Sequence, residues 1–153
     1  MGLFQKKKII VSDIIKKQLI NCGGKALMPS LKGKPIPFWL STTDKGFETD
    51  KLPGYILEWH HFDELIKMAN RLDGKMYRED VIAQNGAKLG EEISYDSMEG
   101  FIASEFLHLP HGSTVTRRST YYSGILAWAG IVTVHRSTGQ GSYITVNEQY
   151  RNI

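Results

Sequence analysis

The sequence predicts an α+β fold, and two observations carry that expectation. Apolar residues recur at helical spacing through Phe62, Leu65, Ile66, Ala69 and Leu72, and again through Val115, Tyr122, Ile125, Leu126 and Ala129. Two runs rich in β-branched and aromatic residues, Ile131–Arg136 and Ser142–Asn147, flank a loop holding Gly139 and Gly141, the pattern of a hairpin. A further feature bears on partners: the 42 residues from Phe106 to Asn147 contain no Asp or Glu but carry Arg117, Arg118, Arg136, His108, His111 and His135.

The elements are expected in the following order. Residues 1–8 form a basic tail with Lys6, Lys7 and Lys8. Ser12 caps a short helix running to about Cys22, which Gly23-Gly24 ends. A strand is predicted at Pro37–Ser41, a polar loop over Thr42–Pro53 and a second strand at Tyr55–Trp59. A helix then starts at Phe62, with Asp63 and Lys67 as an i, i+4 ion pair, and stops at Asp73-Gly74. Lys75–Tyr77 is a short strand and Arg78–Gln84 a short helix. Ser94 or Asp96 caps a further helix through Met98, Phe101, Ile102, Phe106 and Leu109, which Pro110 and Gly112 break.

The helix from Ser113 to Ala129 is the most informative element. At 100° per residue, Val115, Ser119, Tyr122, Ile125, Leu126 and Ala129 share one sector, which is assigned to the core. Thr116, Arg117, Thr120, Tyr121 and Gly124 lie away from it. Gly124 costs roughly 1 kcal/mol against Ala inside a helix, so a phosphate backbone or another helix is expected to approach closely there. The first turn carries no acidic residue, which leaves the positive end of the helix dipole for an external anion.

Charge is segregated along the chain. Residues 1–43 hold eight lysines against Asp13 alone (+7), residues 44–105 hold seven bases against fourteen acids (−7), and residues 106–153 hold four arginines against Glu148 (+3). Two basic ends around an acidic middle point to a polyanionic partner. No apolar run approaches the length of a membrane span. Asp13, Lys16 and Lys17 interrupt any signal-like apolar stretch, and the single cysteine, Cys22, excludes an internal disulfide. The expected setting is therefore cytoplasmic and the partners include no membrane.

Residues 62–147 resemble a winged helix-turn-helix domain. Leu65…Leu72-Asp-Gly-Lys…Asp80-Val81 is similar to that family's first helix, short strand and second helix. Arg117…Tyr122…Ile125-Leu126…Ala129-Gly130-Ile131-Val132 is similar to its recognition helix and first wing strand, and Ser142-Tyr-Ile-Thr-Val146 to the returning strand. The DNA-reading domains of some modification-dependent restriction proteins have this order with one extra helix. The stretch from Asp80 to Ser113 is longer than a minimal helix-turn-helix allows. The division expected is a basic N-terminal extension (1–61, a helix and two strands for packing or homodimerisation), a winged-helix domain (62–147) and a tail (148–153).

The resemblance implies a double-stranded DNA-binding protein acting without catalysis, as a transcription regulator or accessory DNA-processing factor. Ser113, Thr116, Arg117, Thr120 and Tyr121 would meet the major groove, with Arg118 nearer the core. Arg136, Ser137, Thr138 and Gln140 would follow the backbone from the wing, and Lys6, Lys7 and Lys8 would add salt-dependent affinity. The alternative is a winged helix used for protein docking. A nuclease built on Glu58, His60 and His61 is the third reading, although a strand end or helix cap explains those residues more simply. His108-Leu-Pro-His111 has no paired cysteines for zinc. No metal, cofactor or catalytic constellation is expected.

Overall fold

Helix α1 (Val11–Asn21) buries Val11, Ile15 and Leu19, and it ends where Gly23 and Gly24 both take left-handed φ, 82° and 86°, a conformation glycine adopts without steric cost. The computed structural model describes residues 8–137 and 141–153. Ser12 does not cap this helix. Its backbone N–H and hydroxyl donate instead to Asp63, at 3.0 and 2.6 Å, and so tie α1 to the next helix.

Four antiparallel strands follow as a meander: β1 (Lys25–Met28), β2 (Ile36–Leu40), β3 (Gly46–Thr49) and β4 (Leu57–Glu58). β1 and β3 were not expected, the latter falling in a tract that reads as loop. Gly46-Phe-Glu-Thr carries only one large apolar residue, and its pairing is supplied from outside by the Leu40↔Phe47 and Phe38↔Thr49 register. Trp59 opens α2 (Trp59–Arg71) instead of ending a strand. The expected Asp63–Lys67 pair is also absent, because Asp63 holds Ser12 and Lys67 lies 4.0 Å from Glu64.

Next come β5 (Lys75–Tyr77), α3 (Asp80–Ala83) and α4 (Met98–Phe101). The hydroxyl of Ser97, rather than Ser94 or Asp96, caps α4 by accepting from Gly100 N–H at 3.0 Å. A π-helical turn, Ile102–Phe106, continues it. Helix α5 spans Ser119–Trp128, followed by β6 (Val132–His135) and β7 (Tyr143–Val146). In the second sheet β7 lies between β5 and β6, antiparallel to both.

Helix α5 thus starts at Ser119 and not at Ser113. The preceding residues spend their backbone groups elsewhere: Val115 N–H donates to Ala87 O at 3.0 Å and Leu89 N–H to Ser113 O at 2.8 Å. A helical turn would leave those partners unsatisfied. Of the sector assigned to the core, Ser119, Tyr122, Ile125, Leu126 and Ala129 are buried. Val115, in contrast, is buried ahead of the helix in a separate cluster with Ala87 and Leu89, and Gly124, assigned away from the core, is buried as well.

One core joins the N-terminal elements to the C-terminal ones. Phe38 meets Phe47 edge-on at 5.8 Å, Phe47 meets Phe62 at 5.3 Å, and Phe62 lies 5.2 Å from Tyr122 of α5. These rings, with Ile15, Met28, Leu65, Ile125 and Ile144, form a single buried cluster, so residues 11–57 contribute to the same interior as the helices and strands that follow. Among the described residues, no helix is long and apolar enough to cross a membrane.

Candidate functional site

Where β5 turns into α3, Glu79 takes a left-handed φ of 58° and aims Asp80 inward. Asp80 accepts from Arg78 Nη2 and Ser142 Oγ, each at 3.2 Å, and Arg117 Nη2 stands 3.8 Å away. The hydroxyl oxygen of Thr120 accepts from Arg78 Nη2 at 2.7 Å and from Arg117 Nε at 3.0 Å. Behind this group sits Glu99, 1% exposed. Its carboxylate accepts from the Ser119 hydroxyl at 2.6 Å, Ser119 N–H at 3.0 Å and Arg118 N–H at 2.9 Å.

That arrangement corrects one expectation. The N-terminus of α5 is not left for an external anion, because Glu99 of α4 already occupies it. A carboxylate there is favoured by the helix dipole and by the unpaired first-turn N–H groups. Burial raises the Glu99 carboxyl above its ordinary range, against the lowering effect of the Ser119 and Arg118 hydrogen bonds and the Arg78 charge. Burial likewise lowers Arg78, with Asp80 and Glu99 opposing it.

The residues expected to meet DNA are placed unevenly. Thr116 and Arg117 are exposed just before α5, with Arg117 held by Asp80 and Thr120. Arg118 contacts the Thr116 hydroxyl and lies over the Tyr55 ring, 5.0 Å from its centroid. The Ser113 hydroxyl donates to Pro110 O at 2.7 Å. Thr120 and Tyr121 are half-buried. Arg136 is exposed, its Nη2 donating to Leu31 O at 2.8 Å, and the Ser137 hydroxyl donates to Gly141 O at 2.8 Å. Lys8 is exposed, whereas Lys6, Lys7, Thr138 and Gln140 lie outside the described residues.

Gly124 does meet a close neighbour, though not a ligand. A Cβ there would lie 2.7 Å from Met28 Sδ and 3.1 Å from Pro29 O, so the end of β1 packs directly on α5. Beside this contact runs a groove of about 310 Å³ between residues 29–31, α5 and β6. A separate, wider cleft of about 620 Å³ is lined by Tyr77, Val81 and Ile82 together with Glu79 and Asp96. Neither was expected. The near absence of acids before Asp44 was the one signal in the sequence for the first.

Glu58, His60 and His61 come close enough for a cation: Glu58 Oε2 lies 3.4 Å from His61 Nε2 and 3.8 Å from His60 Nε2. Edges near 3.4 Å suit a tetrahedral ion with bonds of about 2.1 Å. The far side of His61 argues otherwise. Its Nδ1 accepts from the Glu58 backbone N–H at 3.2 Å, completing a capping box, and lies 2.7 Å from the Tyr122 hydroxyl. An amide N–H only donates, so the imidazole proton belongs on Nε2, facing Glu58. A metal on Nε2 would force that proton onto Nδ1, against the N–H.

The same atoms form a hydrogen-bonded chain from Tyr55 through Tyr122 (O···O 2.7 Å) to His61, with Phe106 stacked on the imidazole at 3.9 Å. Burial pushes His61 down to about 3, with the neighbouring His60 adding to the effect, and burial pushes the Tyr122 phenol well up. A neutral, weakly basic imidazole beside an unionised phenol is a structural connection between α2, α5 and the first sheet. It is poorly matched to proton abstraction near neutral pH.

Neither a family model, nor a curated protein, nor a solved structure matches this chain.

Proposed function

We propose that the chain binds double-stranded DNA without catalysis, through a winged-helix arrangement over residues 62–147. The observation that carries this reading is the strand order of the second sheet. Helix α2, strand β5, α3, α4, α5 and the β6–β7 hairpin follow in sequence, and the returning strand β7 inserts between β5 and β6. That order supports the winged-helix reading. The extra segment between α3 and α5, which contains α4, accounts for the length beyond a minimal helix-turn-helix.

In this reading the contacts come from the exposed Thr116 and Arg117 before α5 and from the hairpin base at Arg136. The Gly124 side of α5 is covered by Met28 and Pro29, so base reading is confined to the start of the helix. The remaining affinity is electrostatic and belongs to phosphates. A small regulator or accessory DNA-processing factor fits such a surface.

The test is fluorescence anisotropy with a labelled duplex of about 20 base pairs across a salt series. Binding that weakens steeply as salt rises supports the proposal, and no binding at low salt overturns it. One observation favours protein docking as the second reading. Val81 and Ile82, on the rim of the wider cleft, are 52% and 37% exposed, and apolar surface of this kind suits a protein partner. Under that reading the duplex fails to bind at every salt concentration.

A further inference from the structure

Residues 14–43 and residues 106–147 are both free of Asp and Glu, and the fold lays one tract against the other. Met28 and Pro29 close over Gly124 of α5. Arg136, at the base of the β6–β7 hairpin, donates to Leu31 O at 2.8 Å. The loop between β1 and β2 therefore forms one wall of the groove of about 310 Å³, with α5 and β6 as the others.

The chemistry of that groove is specific. Ser30, Thr120, Ser123 and Thr133 line it, the last three with hydroxyls already bonded within the protein, and its lining contains no carboxylate. Arg78 also lines it, but its charge is already matched by Asp80 at 3.2 Å. Net attraction for an anion must come from Lys32 and Lys34, both exposed on the loop, and from exposed Arg136. The lining has no aromatic ring, and single strands are generally gripped by stacking bases on such rings. The wider cleft carries Glu79 and Asp96 and would repel phosphate.

We propose that the β1–β2 loop is a second backbone-contacting arm: the groove between it and β6 seats the sugar–phosphate backbone of duplex DNA, and Lys32 and Lys34 neutralise the phosphates. This rests on the DNA-binding reading above and adds a contact from a part of the chain outside the winged-helix segment. It also gives a use to the basic N-terminal third. Those lysines lie on the loop whose end covers α5, so backbone contact there would set how far the start of α5 enters the groove.

The experiment compares the full chain with Lys32→Gln/Lys34→Gln and with Ser30→Glu, each checked by thermal unfolding. Ser30 lines the groove from the β1–β2 loop and is only half-buried, so a carboxylate there stands in the groove without crowding the core. The double variant is expected to flatten the plot of log K against log salt by about 1.8, roughly 0.9 for each phosphate that a lysine no longer neutralises. Ser30→Glu is expected to weaken binding about tenfold at low salt, as a like charge facing phosphate does. Melting temperatures should not move. If the parent protein binds duplex and both variants bind with its affinity and salt slope, the second arm is wrong while the DNA reading stands. If the parent fails to bind duplex at low salt, both fall. A single strand bound more tightly than the duplex overturns the choice of occupant.

Discussion

His61 offers the sharpest test of the interior, because its protonation is set by packing and by nothing a ligand supplies. The imidazole is 3% exposed, accepts at Nδ1 from Glu58 N–H, and is held at about 3 against an ordinary 6.5. Between those two values the unfolded chain binds a proton that the folded chain refuses. Stability from this group is therefore complete above the unfolded value and is lost as pH falls toward the folded one. From about pH 7.5 to about pH 4.5 the loss comes to about 2.7 kcal/mol, at 1.36 kcal/mol per pH unit below the unfolded pKa. The perturbation is His61→Gln, since glutamine is an ordinary partner at this position of a capping box and its amide oxygen still accepts from Glu58 N–H. Urea unfolding of both proteins across that range supplies the measurement. The buried carboxyl of Glu99 titrates in both and cancels in the difference. The wild-type curve should fall toward the variant's by about 2.7 kcal/mol on acidification. Parallel curves would refute the buried neutral imidazole and, with it, the case against a metal on Nε2.

Three further outcomes are expected. Glu99→Gln keeps one acceptor oxygen for Ser119 but turns its NH₂ against the Arg118 N–H, at a cost of about 2–3 kcal/mol in urea unfolding. Because the wild-type carboxyl is raised by burial, the native protein gains stability on acidification and the gap to this variant should widen as pH falls through the Glu99 pKa. Gly124→Ala gains about 1 kcal/mol of helix propensity but crowds Met28 Sδ and the Pro29 carbonyl, so a net loss of about 1 kcal/mol is expected from thermal unfolding. Arg117→Ala should weaken specific DNA binding by about 1–3 kcal/mol with little change in melting temperature, since the side chain is 39% exposed and its contact to Asp80 is 3.8 Å. Normal binding with a lowered melting temperature would make Arg117 a purely structural partner of Asp80.

Local pattern carried much of this architecture. The α+β class, α2, β5, the hairpin strands and the inward sector of α5 follow from side-chain period, which is a property of neighbouring residues: Phe62, Leu65, Ile66 and Ala69 are buried as their spacing requires. Turn chemistry at Gly23-Gly24 and Asp73-Gly74 was equally legible, because left-handed backbone needs those residue types. What tertiary structure alone decided has a common cause. β3 exists because β2 lies beside it, α5 begins late because residues 87–89 take the backbone of Ser113 and Val115, and Glu99 fills a helix end twenty positions away. Arg136 meets Leu31, and two acid-free tracts form one groove, through contacts between residues remote in sequence. Hydrogen-bond partners and charge neutralisation act through space, so no window along the chain contains them, whereas the apolar period that selects each element's buried face is written within a few residues of itself.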